Sequence, residues 1–268
     1  YIVNKGGIQE SSYIQMGYII GAPALVDLDG DADLEIIFGT QNGSVGKVYA
    51  IHHNGTDVTG FPVDIAEKIV TGPAVADLEG DGVYDIAVTT WGEHIYAIDA
   101  AGNVKEGFPF VASRRFNAPP VIADFDGDGD LDIISASARD DTIAWYENDG
   151  ASNPSWSNAQ DIDIVGSLTS VFAADMDSDG DLDVIYTGTA AAGDVFEIYL
   201  NQLNEGKTDW PKITTNLSGI RNSKIDLGDF NSDGYTDIIY SGTLTGEGEV
   251  TKPVSYTHLR AHETLRYL

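Results

Sequence analysis

Five stretches of the chain set side-chain oxygens at alternate positions, a pattern suited to gripping a hard cation. They are Asp27–Glu35 (DLDGDADLE), Asp77–Asp85 (DLEGDGVYD), Asp124–Asp132 (DFDGDGDLD), Asp175–Asp183 (DMDSDGDLD) and Asp229–Asp237 (DFNSDGYTD). The shared form is D-x-D-x-D-G-x-x-D. Calcium takes about 6–8 oxygen ligands at roughly 2.3–2.6 Å. Carboxylates at positions 1, 3 and 5 turn inward when the backbone curls around an ion. A small residue at position 6 permits the sharp bend, position 7 offers a backbone carbonyl, and position 9 brings a last carboxylate from the next strand. Without a cation such a loop repels itself. Each like-charge pair a few Å apart costs on the order of 4 kcal/mol at an effective dielectric of about 20.

The ligand assignment follows position by position. Loop one offers Asp27, Asp29, Asp31, the carbonyl of Asp33, and Glu35. Loop two offers Asp77, Glu79, Asp81, the carbonyl of Val83, and Asp85. Loop three offers Asp124, Asp126, Asp128, the carbonyl of Asp130, and Asp132. Loop four offers Asp175, Asp177, Asp179, the carbonyl of Asp181, and Asp183. Loop five offers Asp229, Asn231, Asp233, the carbonyl of Tyr235, and Asp237. Two departures single out loops one and two as the weakest sites: Ala32 stands where Gly is expected, and Glu79 is longer than the Asp it replaces. An EF-hand needs an acidic ligand at position 12. Here that position holds Phe38, Val88, Ser135, Tyr186 and Tyr240, and the flanks are β-branched, so an EF-hand is excluded.

The elements that must position these loops read as strands. The first aspartates lie 50, 47, 51 and 54 residues apart, so one unit repeats. A small-apolar run such as Gly72-Pro73-Ala74-Val75-Ala76 precedes each loop, and a β-branched run such as Ile133-Ile134 or Val184-Ile185 follows it. Next comes an aromatic-alternating segment, such as Val48-Tyr49-Ala50-Ile51 or Ile143-Ala144-Trp145-Tyr146, closed by turn signals such as Asn54-Gly55. Gly60-Phe61-Pro62-Val63 and Gly107-Phe108-Pro109-Phe110 read as edge strands, where a missing ladder donor costs little. Four short strands in about 50 residues make one propeller blade. No segment sustains a 3.6-residue period, so almost no helix is predicted. The expected fold is all-β: a propeller of four-stranded antiparallel blades over residues 1–253, with residues 1–20 the outer part of a preceding blade. Five blades do not close a ring in this reading; six to eight, most simply seven, would, and the chain's start reads as a cut one.

Charge and composition narrow the function. The formal charge is −29, from 43 acidic and 14 basic residues, which argues against nucleic acid as a partner. About half of the acids fall in the five loops. Cys is absent, so metal rather than disulfides would staple the fold, and thiolate zinc sites and Cys nucleophiles are excluded. No apolar run approaches the roughly 20 residues of a membrane helix.

With these residues in view, the chain over roughly 22–245 resembles the FG-GAP and VCBS repeat families, the units of integrin-α-like propellers. The G-F-P segments of the first two units are similar to FG-GAP repeats; Trp145-Tyr146-Glu147-Asn148 is closer to VCBS repeats. The resemblance implies a calcium-stabilised propeller of a secreted or surface protein, often attached to other modules, with up to five Ca2+ sites.

The end of the chain departs from the repeat. From Val254 onward, Ser255-Tyr256-Thr257-His258-Leu259-Arg260-Ala261-His262-Glu263-Thr264 resembles the translation of a sequencing adapter, so residues 254–268 read as a non-native tail. The i, i+4 pair His258 and His262 then carries no metal site. His52, His53 and His94 remain, and each reads as structural or exposed.

The functional expectation is a noncatalytic extracellular binding or adhesion module, whose ligand is a protein or glycan. Two alternatives belong to other classes. A polysaccharide-lyase-like catalytic propeller, or an accessory module of a secreted hydrolase, would need basic or carboxylate groups converging on a channel; Arg114 and Arg115 are the only adjacent basic pair. A lectin would need exposed aromatics from among Trp91, Trp145, Trp156 and Trp210, of which Trp145 is expected between blades. No G-x-S-x-G, H-E-x-x-H or P-loop occurs.

Overall fold

Alternating β-branched and aromatic residues, punctuated by Gly, Asn and Asp turns, produce short antiparallel strands throughout. The computed structural model describes residues 2–3, 9–11, 17–112, 115–116, 118–137, 141–151, 155–164, 167–190, 193–213, 221–230, 232, 234–244 and 248–250. A ladder of β1 (Ile2–Val3) and β2 (Gln9–Ser11) stands apart from five further sheets. Blade one is β3 (Ala24–Val26), β4 (Glu35–Asn42), β5 (Val45–Ile51) and β6 (Val63–Ile65). Blade two is β7 (Ala74–Ala76), β8 (Asp85–Thr89), β9 (His94–Ile98) and β10 (Phe110–Val111). Blade three is β11 (Val121–Ala123), β12 (Asp132–Ala136), β13 (Thr142–Tyr146) and β14 (Gln160–Ile164). Blade four is β15 (Ser167–Ala174), β16 (Asp183–Ala190), β17 (Gly193–Tyr199) and β18 (Lys212–Ile213). Blade five has three described strands, β19 (Arg221–Gly228), β20 (Asp237–Leu244) and β21 (Gly248–Val250).

Strand order within each blade follows chain order, and every pairing is antiparallel. The only helical element among the described residues is a 3₁₀ turn at Leu203–Glu205. These are the meander blades of a β-propeller. The first strands of successive blades touch one another in chain order, β3 to β7 to β11 to β15 to β19. Just before the first strands of blades one and two, the chain is small where the blades crowd together. Gly21 and Gly72 show why: a Cβ on either would overlap the other blade's entering backbone.

Four of the five apolar clusters among the described residues lie between blades; the fifth, Phe38, Tyr49 and Ile51, lies within blade one. Leu28, Ile37, Val48 and Ala50 of blade one pack with Ile86, Val88 and Ile98 of blade two. Ile95 and Ala112 meet Phe116, Ile133 and Tyr146 across the next interface, and Ile134 and Trp145 meet Val184 and Tyr186 across the one after. Burying such faces is the main favourable term in folding, so each blade depends on its neighbour for a core. The proline segments behave as edges with one refinement. Pro62 and Pro109 immediately precede or flank the outer strands, which begin at Val63 and Phe110, so neither proline takes a ladder position. The tail read as non-native, residues 254–268, lies outside the described residues, as does most of the segment 1–20.

Candidate metal sites

Register places the loops. The last residue of each first strand pairs with the ninth loop residue: Val26 with Glu35, Ala76 with Asp85, Ala123 with Asp132, Ala174 with Asp183, and Gly228 with Asp237. Each acidic loop therefore joins the first and second strands of its blade, as the spacing predicts.

A common set of hydrogen bonds shapes the loops. The ninth-position carboxylate is buried and accepts the backbone N–H of position 2: Leu28 N to Glu35 Oε2 at 2.8 Å, Leu78 N to Asp85 Oδ2 at 3.3 Å, Phe125 N to Asp132 Oδ2 at 3.2 Å, Met176 N to Asp183 Oδ2 at 2.7 Å, and Phe230 N to Asp237 Oδ2 at 3.0 Å. The first-position carboxylate accepts the N–H of position 6, as in Gly129 N to Asp124 Oδ2 at 3.1 Å and Gly180 N to Asp175 Oδ2 at 3.1 Å. Position 5 accepts from position 7, as in Asp130 N to Asp128 Oδ1 at 3.0 Å and Asp181 N to Asp179 Oδ1 at 3.0 Å. These N–H donors offset part of the repulsion among the acids.

Two residues per loop take left-handed conformations. Position 6 does so at Ala32 (φ 72°), Gly82 (88°), Gly129 (101°), Gly180 (99°) and Gly234 (88°). Position 4 does so as well, at Gly30, Gly80, Gly127, Ser178 and Ser232. The second bend is a feature that reading the acids alone misses, although its signal is present as Gly or Ser at position 4 of every loop. Position 2 supplies an apolar plug: Leu28, Phe125 and Met176 enter the cores between blades. Phe230 has no further blade beside it among the described residues and is 41% exposed.

In three loops the carboxylates of positions 1, 3 and 9 converge. Asp27, Asp29 and Glu35, then Asp124, Asp126 and Asp132, then Asp175, Asp177 and Asp183, each bring ligand oxygens within 4.8 Å of one another. An all-oxygen set of this kind suits a hard divalent cation. Burial drives both Asp132 and Asp183 up to about 7, against N–H bonds from Asn148 and Phe125 to the first and from Asn201 and Met176 to the second. Burial also raises Asp126 and Asp177. Among the described residues no cationic side chain is bonded to these carboxylates. In loop five, Asp237 is buried, and its Oδ1 has no hydrogen-bond partner among the described residues. Asn231 and Asp233 of that loop lie outside the described residues.

Loop two is different. Lys105, from the turn after β9, puts its ammonium on Asp85 Oδ2 at 2.7 Å and also on Glu79. Burial pushes Asp85 up to about 6, the nearby lysine opposing it. Lys105 itself is held above its ordinary value, because the bonds to Asp85 and Glu79 outweigh the lowering effect of burial. Nothing in the repeat pattern points to this lysine, which stands about twenty residues beyond the loop.

Further partners were equally hidden. His52 Nδ1 lies 3.1 Å from Glu35 Oε1, and His52 gathers with Asp29 and Asp31, so it belongs to loop one rather than being a bystander. His53 lies 3.4 Å from Asp33. His94 meets Glu67 at 2.7 Å at the opposite end of blade two. Asn148 and Asn201 occupy matching places after the third strands. Their backbone N–H groups bind Asp132 Oδ1 at 2.9 Å and Asp183 Oδ1 at 2.8 Å. Asn201 Nδ2 also reaches across the interface to the carbonyl of Phe125 in loop three at 2.6 Å. Trp145 is buried between blades as expected, and Trp156 is stacked on Phe110 rather than free in a loop. Trp91 is 37% exposed, with Lys68 and Arg115 within 5.3 Å of its ring; Arg114 lies outside the described residues.

Residues 124–186, which contain loops three and four, match the FG-GAP-like repeat family. The chain carries an FG-GAP-like repeat. Loops one and two reproduce all three hydrogen bonds of that FG-GAP-like stretch, and loop five the two that fall on its described residues. No curated protein matches the chain significantly in sequence. Among solved structures, the V. cholerae biofilm matrix protein Bap1 aligns with 87% of this chain and 38% of its own, at 21% identity and a TM-score of 0.56. The C-terminal domain of Pseudomonas aeruginosa PilY1 aligns with 94% of this chain and 66% of its own, at 13% identity and a TM-score of 0.54. BBS1N, solved in complex with ARL6DN, aligns with 84% of this chain and 59% of its own, at 12% identity and a TM-score of 0.53. At these identities the likeness is one of fold. The chain spans less than two thirds of each of these structures.

Proposed function

We propose that this chain is the calcium-stabilised propeller of an extracellular binding or adhesion protein, and that it is noncatalytic. The observation that carries the reading is the convergence of positions 1, 3 and 9 in loops one, three and four. Calcium fits them better than magnesium. The donors are carboxylate oxygens that can ligate in varied number and geometry, whereas magnesium demands a tight octahedron and holds its waters. The ions staple a fold without disulfides, and the face they stiffen is available to a protein or glycan partner. Bap1, a biofilm matrix protein of the same fold, is in keeping with an extracellular setting. No helix among the described residues is long and apolar enough to cross a membrane.

An ion that binds only the folded state adds RT ln(1 + [L]/Kd), about 2.7 kcal/mol per site at a hundredfold excess. The test is a set of melting curves in chelator, magnesium and calcium. Calcium is expected to raise the melting temperature well above the chelator value and magnesium to raise it little. A melting temperature that ignores chelator would end the calcium reading. A glycan and protein array on the calcium-loaded protein then identifies the ligand class.

A further inference from the structure

Loop two shares its backbone with the other loops but not its electrostatics. Its ninth-position carboxylate accepts the Leu78 N–H, and Gly80 and Gly82 provide the two left-handed bends. The loop is therefore correctly folded, and the departure lies in its charges. Glu79 and Asp85, the residues at positions 3 and 9, both close on Lys105 Nζ.

The lysine is built into the blade. Lys105 N donates to Ala97 O at 2.9 Å, and in blade one Val58 N donates to Ala50 O at 2.9 Å. Phe108 N to Lys105 O and Phe61 N to Val58 O repeat the match. The two residues hold the same place in their blades. Val58 is an apolar core residue there. Lys105 keeps its methylene stem in that position and extends its charge into the acidic loop, the usual behaviour of a long cationic side chain. Its side chain is only 14% exposed, and Asp85 is 2% exposed. Glu79 is one methylene longer than the aspartates at position 3 of loops one, three and four, which gives it the reach to meet the ammonium. A divalent ion held by Glu79 and Asp85 would bond carboxylate oxygens at roughly 2.3–2.6 Å, only a few Å from an ammonium that already engages both carboxylates, and would be repelled by it.

We infer that Lys105 is the resident cation of loop two, and that this loop takes up no divalent metal ion. The inference rests on the reading that the sister loops bind calcium, but it is judged by a separate quantity. Blade two is then locked whatever the calcium concentration, while blades one, three and four depend on it.

The experiment is calcium stoichiometry by equilibrium dialysis on the full chain, for the wild type, Lys105→Met, Asp81→Asn and Asp128→Asn. Lys105→Met should bind one more calcium ion per chain than the wild type. Asp81→Asn, in loop two, should leave the wild-type count and affinities unchanged, whereas Asp128→Asn, at the same position of loop three, should weaken one site at least tenfold. Loss of a site in Asp81→Asn would overturn the inference, as would a Lys105→Met protein that folds and gains none. If Lys105→Met does not fold, the Asp81→Asn result decides alone. A wild type that binds no calcium at all sinks the calcium reading instead, and the gain or its absence in Lys105→Met still judges the lysine.

Discussion

Loops two and three share a backbone and differ in how their charge is balanced. Both run from a short first strand into a buried second-strand carboxylate, with the same position-2 N–H bond and the same two left-handed residues. In loop three, Asp124, Asp126 and Asp132 gather with only N–H donors to face among the described residues, and burial lifts Asp132 up to about 7. In loop two the corresponding charge is met by Lys105. The difference teaches that acid spacing sets the shape of the loop, while, on the reading proposed above, its appetite for an ion is set by a residue from the connection after the third strand. An internal ammonium and a bound divalent ion are alternative answers to one electrostatic problem.

The largest effect that can break this comparison is expected at Asp85. Removing one partner of a buried ion pair typically costs about 3–5 kcal/mol, because the other charge is left uncompensated. Asp85→Ala should lose that much, and by the same amount in chelator as in calcium, measured by urea unfolding with the slope checked for two-state behaviour. A loss seen only in calcium would mean that Asp85 serves a metal rather than Lys105.

Asp132→Ala is the counterpart in loop three. At a hundredfold excess of calcium over Kd it should forfeit the linkage term of about 2.7 kcal/mol. In chelator the cost should shrink, because the carboxylate removed there is buried without a cation. Equal losses in both conditions would erase the distinction between the two loops.

A somewhat smaller loss is expected at Asn201, which is buried and joins the two FG-GAP-like loops. Its Nδ2 binds the carbonyls of Phe125 at 2.6 Å and Leu182 at 3.2 Å, and its Oδ1 accepts Leu203 N–H at 2.9 Å. Asn201→Ala leaves buried carbonyls without donors, at about 1–3 kcal/mol. The same change should weaken calcium at loops three and four together, read by titration. Loop one, on the far side of blade two, should be unaffected.

What could be read in advance, and what could not, divides along the same line. The five loops, the small first strands, the β-branched second strands and the near-absence of helix are legible because they recur: every unit solves the same local problem with the same residue types. The left-handed fourth position is equally legible, as Gly30, Gly80, Gly127, Ser178 and Ser232. Lys105 and His52 are not legible, because each acts through a contact with residues far away in the chain, at a position whose residue type differs from blade to blade. Asn201 does recur, as Asn148 two residues after the Tyr that ends the third strand, but its reach to Phe125 across the interface is not written in that spacing. Val58 and Lys105 occupy one structural place, and only the lysine adds a charge there. Trp156 misleads for a related reason: it sits in a connection, and only the meeting of blades two and three reveals its stack on Phe110.

The smallest effect separates loop one from loop three by its bend alone. Ala32 holds φ at 72°, where Gly129 holds 101° in loop three. A left-handed residue with a Cβ costs roughly 1–2 kcal/mol, because the Cβ crowds the following carbonyl. Glycine avoids that strain, although it loses more freedom on folding, which returns part of the gain. Ala32→Gly should therefore stabilise the chain by about 1 kcal/mol or a little less. Because Ala32 N also donates to Asp27 Oδ2 at 3.1 Å, relaxing the bend should sharpen the first-position carboxylate's placement and raise calcium affinity at loop one by a few-fold. The reverse exchange, Gly129→Ala in loop three, should lower both quantities. Paired melting curves and calcium titrations of the two variants check it: opposite signs in the two loops support the bend as the cause, and a change of the same sign in both would show that residue 32 acts through something other than its backbone.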